Sequence, residues 1–566
     1  MLIDYAISKL VIEGFRGIEK AEFDFRNGFP TVLIGSNNAG KSTILNALAL
    51  ALNGGGFHQW SPEENDFFCG QNGERRKNFL IQLYFRSENE LGYPAVKGVA
   101  APTLIHGVQV KGTVTKDGLL KHSRTLFDKD GKTVTIAPRT SLSATDKVEF
   151  AEHDIGYKLV NARLDDIRNH IPSVWLFRPQ NLEASLYVWK TGPIAKLSGH
   201  LAERFLTDEW EMELNNGTKR AMPKTMHNAY AFFRDALEQF PFWTSDMKPH
   251  LEEVIGKYVG TNAKVDLRPD AQVFKDWISQ QLMIALATDP ESVSTPLRNM
   301  GDGWQSIIRL AALEALTKYP ALTKERIVLL LEEPETHLHP HFRRKLRKIL
   351  ADLADKGWMV VYSTHSPELI SFDENQSITR LARKAGNVSF GTVMTDEIAP
   401  DAKFQSKLDE KGAHDFLFSN GVVFCEGMGD AFAVRSALGD LDLDCDGRSI
   451  SVTQAGGISG IPSLAAIAKL LGIRWCAVTD EDLLPDGTIK PATVKHRANI
   501  DQYKTATDFQ VQWSVDLEQC LRVEVGKATP EISAVLLQNP DWQSAYPEFY
   551  TAVLEIANWL ERGPPN

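Results

Sequence analysis

The stretch Arg326 to Pro340, RIVLLLEEPETHLHP, constrains the fold more than any other part of the chain. Ile327 to Leu331 is a continuous apolar, partly β-branched run with no polar residue to place on a solvated face, which predicts a strand buried on both faces of a parallel sheet. It stops abruptly at Glu332 and Glu333. The carboxyl end of a buried strand is where an open α/β sheet takes its ligand. Two acids there suit one to hold Mg²⁺, directly or through water, and the next to polarise an attacking water. The competing reading is the start of a solvated loop, and the neighbouring motifs decide between the two.

Thr31 to Ile34 reads as a short strand and Thr43 to Leu52 as a helix; between them Gly35-Ser36-Asn37-Asn38-Ala39-Gly40-Lys41-Ser42 fits GxxxxGK[ST]. Glycines let backbone amides turn inward on phosphate, the helix start adds positive potential, Lys41 reaches the β- and γ-phosphates, and Ser42 can ligand Mg²⁺. A strand before and a helix after complete the context for ATP, with Gly35, Asn37, Asn38, Gly40, Lys41, Ser42 and Thr43 around the phosphates. A second glycine-rich turn, Arg298 to Gln305 with Gly301 and Gly303, leads into a predicted helix Ser306 to Tyr319 and is another anion cradle. After the Glu332-Glu333 strand, a further strand, Met359 to Tyr362, runs into Ser363-Thr364-His365-Ser366.

This order of parts resembles an ABC-type ATPase. The resemblance implies that Gly301 and Gly303 belong to the signature motif, which touches the γ-phosphate bound by the other subunit, so catalysis needs a two-fold homodimer. It implies a magnesium role for Glu332, a catalytic role for Glu333, a D-loop over Pro334 to Pro340, and a γ-phosphate sensor in His365. His337, His339 and His341 alternate as HxHxH; alternation gathers side chains only on a strand, which Pro340 disfavours, so metal binding is not expected there. Phe342-Arg343-Arg344-Lys345-Leu346-Arg347-Lys348 is the most basic run, read either as a solvated helix face or as a contact for a phosphodiester backbone.

Elsewhere in this half, Ile7 to Phe25 reads as a pair of edge strands, and Phe79 to about Arg139 as strands with turns at Lys116-Asp117-Gly118 and Lys129-Asp130-Gly131. Residues 201–259 turn helical, with Trp210, Tyr230, Phe232, Phe233, Phe240 and Trp243 read as core more than as base-stacking platforms. A helical insertion over about 190–290 is expected, serving as a dimerisation arm.

Ser371 to about Lys411 reads as a polar connection with short strands, after which a second α/β unit begins. Strand Gly421 to Cys425 ends in Glu426-Gly427 with Asp430 opening a helix; strand Ser449 to Thr453 leads to Gly456-Gly457 and helix Ile461 to Leu471; strand Trp475 to Thr479 ends in Asp480-Glu481-Asp482. A parallel sheet would converge these acids at one edge, where they can hold one or two Mg²⁺ ions on a scissile phosphate; otherwise they are acidic turns on a solvated edge. The pattern resembles a Toprim domain, and an ABC-type ATPase followed by Toprim resembles the OLD (overcoming lysogenization defect) family of nucleases, which includes the nuclease subunit of the Gabija anti-phage system. The resemblance implies Mg²⁺ or Mn²⁺ at Glu426, Asp430, Asp480 and Asp482, with Asp516 and Glu518 as the later acidic element, and catalytic roles for Glu426, Asp480 and Asp482. Ile458 stands where relatives more often carry a basic residue, and Lys495 and Lys527 are the candidates for the family's later lysine. Asp442 to Gly447 imitates an EF-hand start, but its twelfth position is Thr453 rather than Glu, so it reads as a solvated acidic turn.

The fold class is therefore α/β: an ABC-type P-loop ATPase sheet with a helical insertion over residues 1–395, then a Toprim domain over 412–566. With 566 residues, roughly three to four folding units are expected. No apolar run reaches membrane-spanning length, Asp4 stands where a signal peptide would be basic, and five cysteines without CxxC spacing suggest reduced thiols, so a cytoplasmic protein without a membrane partner is expected. A net charge of −11 argues against indiscriminate coating of nucleic acid and leaves DNA to a local patch. The expected function is an ATP-regulated, metal-dependent DNA endonuclease or nickase in defence against phage, with a helicase or reverse transcriptase complex as a partner encoded nearby. The alternative is an SMC-like, ATP-dependent DNA-binding clamp whose Toprim acids serve structure only. Topoisomerase chemistry ranks below both, because it needs a positioned tyrosine nucleophile.

Overall fold

The computed structural model describes residues 7–52, 61–86, 91–93, 103–131, 172–178, 327–395 and 415–562 apart from short breaks, and isolated short segments between 179 and 326. Residues 1–179 and 326–566 form one compact unit, and residues 180–325 another.

An antiparallel hairpin of β1 (Ile7–Phe15) and β2 (Ile18–Asp24) opens the first unit. Strand β3 (Thr31–Gly35) and helix α1 (Lys41–Ala51) follow, then β4 (Asn78–Phe85), β5 (Gly107–Val114) and β6 (Leu120–Phe127). The first sheet has the order β2-β1-β4-β5-β6, antiparallel throughout. Of the hairpin strands only β2 is at an edge. The reading of two edge strands fails for β1 because Leu10, Val11 and Ile12 are buried in succession, which covers both faces and places the strand inside the sheet.

A second sheet is completed by β7 (Ser173–Phe177), β8 (Ile327–Glu332), β9 (Met359–Ser363), β10 (Ser377–Lys384) and β11 (Asn387–Met394), with α2 (Pro340–Asp355) between β8 and β9. Its order is β11-β10-β3-β9-β8-β7, parallel except for the β10–β11 pair. All five residues Ile327 to Leu331 are buried, as a doubly covered strand requires. Helix α1 packs on both sheets: Ile44, Leu45 and Leu48 share one core with Leu10, Ile12 and Ile81 of the first sheet and Leu33, Leu330 and Val361 of the second. A helix covered on two sides needs no polar face, which is why its sequence is apolar nearly all round.

Strands β10 and β11 are eight residues each and full members of the sheet, where a polar connection with short strands was expected. Ser377, Thr379 and Arg380 of β10 are buried: the Thr379 hydroxyl lies 3.0 Å from that of Thr392, and the Arg380 guanidinium donates to Ser419 O at 2.7 Å. A polar sequence can line a sheet interior when most of its buried groups find partners in this way.

A 3₁₀ turn, Asp415–Phe418, leads into the third sheet. Its elements are β12 (Gly421–Cys425), α3 (Met428–Asp440), β13 (Ile450–Gln454), α4 (Ile461–Leu470), β14 (Arg474–Thr479), α5 (Pro491–Asp501) and β15 (Phe509–Gln512), followed by α6 (Pro547–Glu561). The order β13-β12-β14-β15 is wholly parallel. Helix α6 buries Phe549, Val553, Ile556 and Leu560, one stripe at helical spacing, against Trp513 and Trp542. The second sheet and this domain meet backbone to backbone: a Cβ on Gly391 of β11 would lie 2.2 Å from the carbonyl oxygen of Leu470 in α4.

In the unit of residues 180–325, two short antiparallel pairs are described, Glu211–Glu213 with Lys219–Ala221 and Ala285–Leu286 with Thr295–Pro296. Most of the expected helical insertion and of helix Ser306 to Tyr319 lies outside the described residues. Among the described residues no helix is long and apolar enough to cross a membrane.

Candidate functional sites

The loop after β3 is shaped by its glycines. Gly35 has φ +136, and a Cβ there would lie 2.2 Å from the Leu381 carbonyl oxygen on β10, so a side chain is excluded by both conformation and space. Gly40, at φ +109, caps α1. Lys41 Nζ donates to the carbonyls of Gly35 at 2.7 Å and Ser36 at 3.0 Å. Burial lowers its pKa against the opposing pull of Glu333, Glu335 and Glu332. Asn37, Asn38 and Thr43 lie on the same loop and first helical turn.

Parallel pairing of β8, β9 and β3 brings the ends of these strands together. The Ser42 hydroxyl donates to Glu332 Oε1, so the two oxygens a Mg²⁺ ion would need are already neighbours. Glu332 Oε2 also lies 3.5 Å from Arg178 Nε, whose guanidinium donates to Asn46 Oδ1. Glu333, with φ 43, places its Oε1 3.9 Å from His365 Nε2. Burial and the nearby Lys41 hold the His365 pKa below its ordinary value, with Glu333 pulling the other way.

Glu335, passed over in the sequence, underlies this arrangement. It is buried, and its Oε1 accepts both the Thr364 hydroxyl and the His365 amide at 2.8 Å. Burial raises its pKa, and its Oε2 is buried without a hydrogen-bond partner. Its place as the third glutamate of EEPE was the available cue. In the other unit, Gln305 N donates to Gly301 O at 3.2 Å, which closes a helical turn over Gly301 and Gly303.

Helix α2 uses part of the basic run internally: Arg343 donates to Leu338 O at 2.8 Å and faces Glu368 at 3.6 Å, and Arg347 donates to the carbonyls of Glu368 and Ile370. Arg344, Lys345 and Lys348 remain exposed. The His339 and His341 rings stack at 5.1 Å at the start of this helix, with His341 Nδ1 2.7 Å from Arg344 Nη2.

In the C-terminal domain the parallel register brings the ends of β12, β14 and β15 to one edge. Glu426 follows β12, and its two oxygens accept the amides of Asp480 at 2.9 Å and Ile458 at 3.2 Å. A backbone amide makes the second contact, so the identity of residue 458 does not decide it. Asp430 is buried in the first turn of α3 and accepts Trp513 Nε1 at 2.9 Å and the Gly427 amide at 3.0 Å. Burial raises the pKa of both acids. Asp480 is pushed up to about 8, by burial first and then by Asp430, Glu426, Asp516 and Glu518, and its Oδ1 is buried without a partner. Asp516 caps a short helix, Leu517–Cys520, through the Gln519 amide at 2.8 Å.

Asp482 is set apart from this group. Its oxygens accept Lys490 Nζ and the Thr493 hydroxyl, each at 2.8 Å; burial alone would raise its pKa, but these donors hold it below the ordinary value. Lys490 is thus the lysine at the acids; Lys495 is exposed on α5, and Lys527 lies outside the described residues. No three His, Cys, Asp or Glu side chains among the described residues converge as they stand into a metal-holding group. The donor chemistry around Asp480 nonetheless fits a divalent cation: a buried carboxylate oxygen without a donor, beside four more carboxylates, is a concentration of negative charge that a cation relieves.

The sign of the Asp480 shift gives a stability test. Its folded pKa lies above the ordinary 3.8, so its favourable contribution is complete below about pH 4 and is lost as pH rises through about 8. In EDTA, the melting temperature is expected to fall between about pH 5 and pH 8.5, and Asp480→Asn is expected to flatten that fall. An unchanged pH profile in the variant would contradict the environment described for Asp480.

Phosphate loop, acid-tipped parallel sheet and a second four-stranded parallel sheet with acids at its edge define a P-loop ATPase joined to a Toprim domain. Residues 6–173 and 203–370 match the model of the AAA ATPase domain family, and residues 417–482 match the TOPRIM domain of overcoming lysogenization defect protein-like proteins. The chain belongs to this AAA ATPase family and is an OLD-family fusion of ATPase and Toprim. It is 29% identical over 201 residues to the OLD nuclease of Thermus scotoductus, covering 34% of this chain and 37% of that protein. It is 21% identical over 225 residues to the Old nuclease of Escherichia phage P2, covering 38% of each. The matches thus span under two fifths of the length of these curated relatives. Among solved structures, an SMC head bound to the C-winged helix domain of ScpA is similar with a TM-score of 0.38 and 15% identity, covering 70% of this chain and all of that one.

Proposed function

We propose that this chain is a nuclease that cuts DNA with a divalent metal ion, Mg²⁺ or Mn²⁺, under the control of bound ATP, in defence against phage. The observation that carries the proposal is Asp480, whose buried Oδ1 lacks a donor amid Glu426, Asp430, Asp516 and Glu518. These residues would hold the ion; when bound it would supply an activated water and neutralise charge on the scissile phosphate. Glu426, through the amides of Asp480 and Ile458, fixes the spacing of the strand ends on which the acids stand. Asp430 is held in place by Trp513 and the Gly427 amide.

At the nucleotide site, Lys41, Ser42 and Glu332 would bind Mg²⁺-ATP, Glu333 would orient the attacking water, and His365 would sense the γ-phosphate. A homodimer would bring Gly301 and Gly303 of one subunit to the nucleotide of the other. The joint supports control by nucleotide: the His365 ring lies 6.4 Å from that of Phe418, in the turn that leads into β12, and Arg380 on β10 holds Ser419 O.

The second reading, a DNA-binding clamp without cleavage, is favoured by the structural bonds of Glu426 and Asp430 to backbone amides and to Trp513. Purified protein with supercoiled DNA separates the two. Nicked or linear product in Mg²⁺ or Mn²⁺, none in EDTA, is expected; binding without cleavage in every metal would select the clamp.

A further inference from the structure

The chain leaving β8 is laced to the end of β9 at consecutive residues. The Glu333 amide donates to Ser363 O at 3.0 Å, and the Glu335 carboxylate reaches the next two residues, accepting the Thr364 hydroxyl and the His365 amide on one oxygen at 2.8 Å each. Thr364 Oγ1 in turn accepts the Ser366 amide at 2.9 Å, and the Thr364 amide donates to Leu33 O of β3 at 3.1 Å. Two successive turns shape the segment: the Thr336 amide donates to Glu333 O at 3.1 Å and the Leu338 amide to Glu335 O at 2.9 Å, with Glu333 at φ 43 and His337 at φ 65.

Burial separates the roles of the two glutamates. Glu335 is 7% exposed, whereas the side chains of Glu333 and His365 are 44% and 37% exposed. A carboxylate so enclosed has no access to nucleotide or to an attacking water and can act only through what it holds. Glu333 and His365 are open enough that their meeting at 3.9 Å depends on where their backbones are held. We propose that Glu335 is a positioning residue for ATP hydrolysis: by fixing the His365 amide and the Thr364 hydroxyl it sets where His365 stands against Glu333, and so governs turnover without contributing to ATP binding. The inference rests on the reading of Glu333 and His365 as the residues at the γ-phosphate, and adds the buried group that aligns them. Only Oε1 does this work; Oε2 is buried without a hydrogen-bond partner, so acceptor and shape can be changed separately.

The test measures ATP turnover, ATP affinity and melting temperature of the full-length protein. Glu335→Met fills a similar volume without the acceptor, and its kcat is expected to fall about tenfold to a hundredfold with the Kd for ATP within about twofold of wild type. Glu335→Gln keeps an acceptor oxygen but places an NH2 where Oε2 has no partner, so it is expected to melt lower and yet keep kcat within about threefold. In a His365→Ala background, itself slow, Glu335→Met is expected to add no more than about a twofold loss. Thr364→Val removes one donor and leaves the carboxylate, and is expected to lower kcat about threefold to tenfold, again only while His365 is present; it carries the same cycle if Glu335→Met does not fold. Unchanged turnover in Glu335→Met, equal turnover losses in the Met and Gln variants that track melting temperature, or losses that multiply in the His365→Ala background would overturn this assignment. Wild-type turnover in His365→Ala, or no ATP hydrolysis by the wild type, would instead overturn the reading beneath it.

Discussion

Asp480→Asn and Glu426→Gln are each expected to lower DNA cleavage at least about a thousandfold, or about 4 kcal/mol of barrier, while leaving ATP binding intact. Asp480 is the acid without a donor on Oδ1, and its environment opposes its charge unless a cation is present, so its neutral isostere removes the strongest reason for an ion to bind. Glu426 matters through two amides on two different loops, and a glutamine side chain, whose NH2 cannot accept, loses one of these contacts, weakens the other and weakens the ion's ligand set. Asp482→Ala is also expected to lose cleavage, by leaving Lys490 and Thr493 without their acceptor. Glu481 stands between the two aspartates, is half-buried and makes no side-chain hydrogen bond or ion pair among the described residues, so Glu481→Ala is expected to stay within about threefold of wild type. Single-turnover cleavage of a supercoiled plasmid, with ATP binding measured in parallel, reads all four. Equal loss at Glu481 would contradict this distinction among the acids.

The second large effect concerns nucleotide. Phosphodiester hydrolysis is downhill, so cleavage needs no energy from ATP, and the nucleotide can act only through different affinity for two forms of the protein. Glu333→Gln, which keeps the binding loop but removes the carboxylate 3.9 Å from His365, is expected to hold ATP and hydrolyse it slowly. Lys41→Ala removes the phosphate-binding cation and is expected to bind ATP poorly. At saturating ATP the two are expected to move DNA cleavage in opposite directions from wild type, by about tenfold or more in total, a coupling of about 1–3 kcal/mol. Phe418→Ala, which deletes the ring beside His365 and leaves every ligand of both sites in place, is expected to bring the two backgrounds to a common rate. Identical rates in Lys41→Ala, Glu333→Gln and wild type, with and without ATP, would show that the halves are uncoupled.

Much of this was legible in the chain because backbone rules write themselves locally. Ile327 to Leu331 could only be a doubly buried strand, and Gly35 to Ser42 could only turn as they do. The acids at 426 and 480 were legible for the same reason, each following an apolar run that a parallel sheet must bury. What escaped reading depends on pairing across distance. Ser377 to Lys384 looked like a connection because its polar groups meet partners such as Thr392 and Ser419 that no local pattern reveals. Glu335 looked like one acid among several until Thr364 and His365 converged on it. Lys490 lies eight residues from Asp482, in a segment with no motif, and only the turn between them brings the ammonium to the carboxylate.

Gly391 bears on how such proteins can be recombined. The polar stretch after β11 looks like a natural seam for exchanging one Toprim domain for another, yet the seam of contact lies elsewhere, where β11 touches the end of α4 with no room for a side chain. A chimera joined within residues 396–414 would set a foreign helix against this strand, and any protrusion there would prise the two backbones apart. The interchangeable cassette is therefore the Toprim domain together with strands β10 and β11, a hairpin that belongs to the ATPase by hydrogen bonding and to its neighbour by fit.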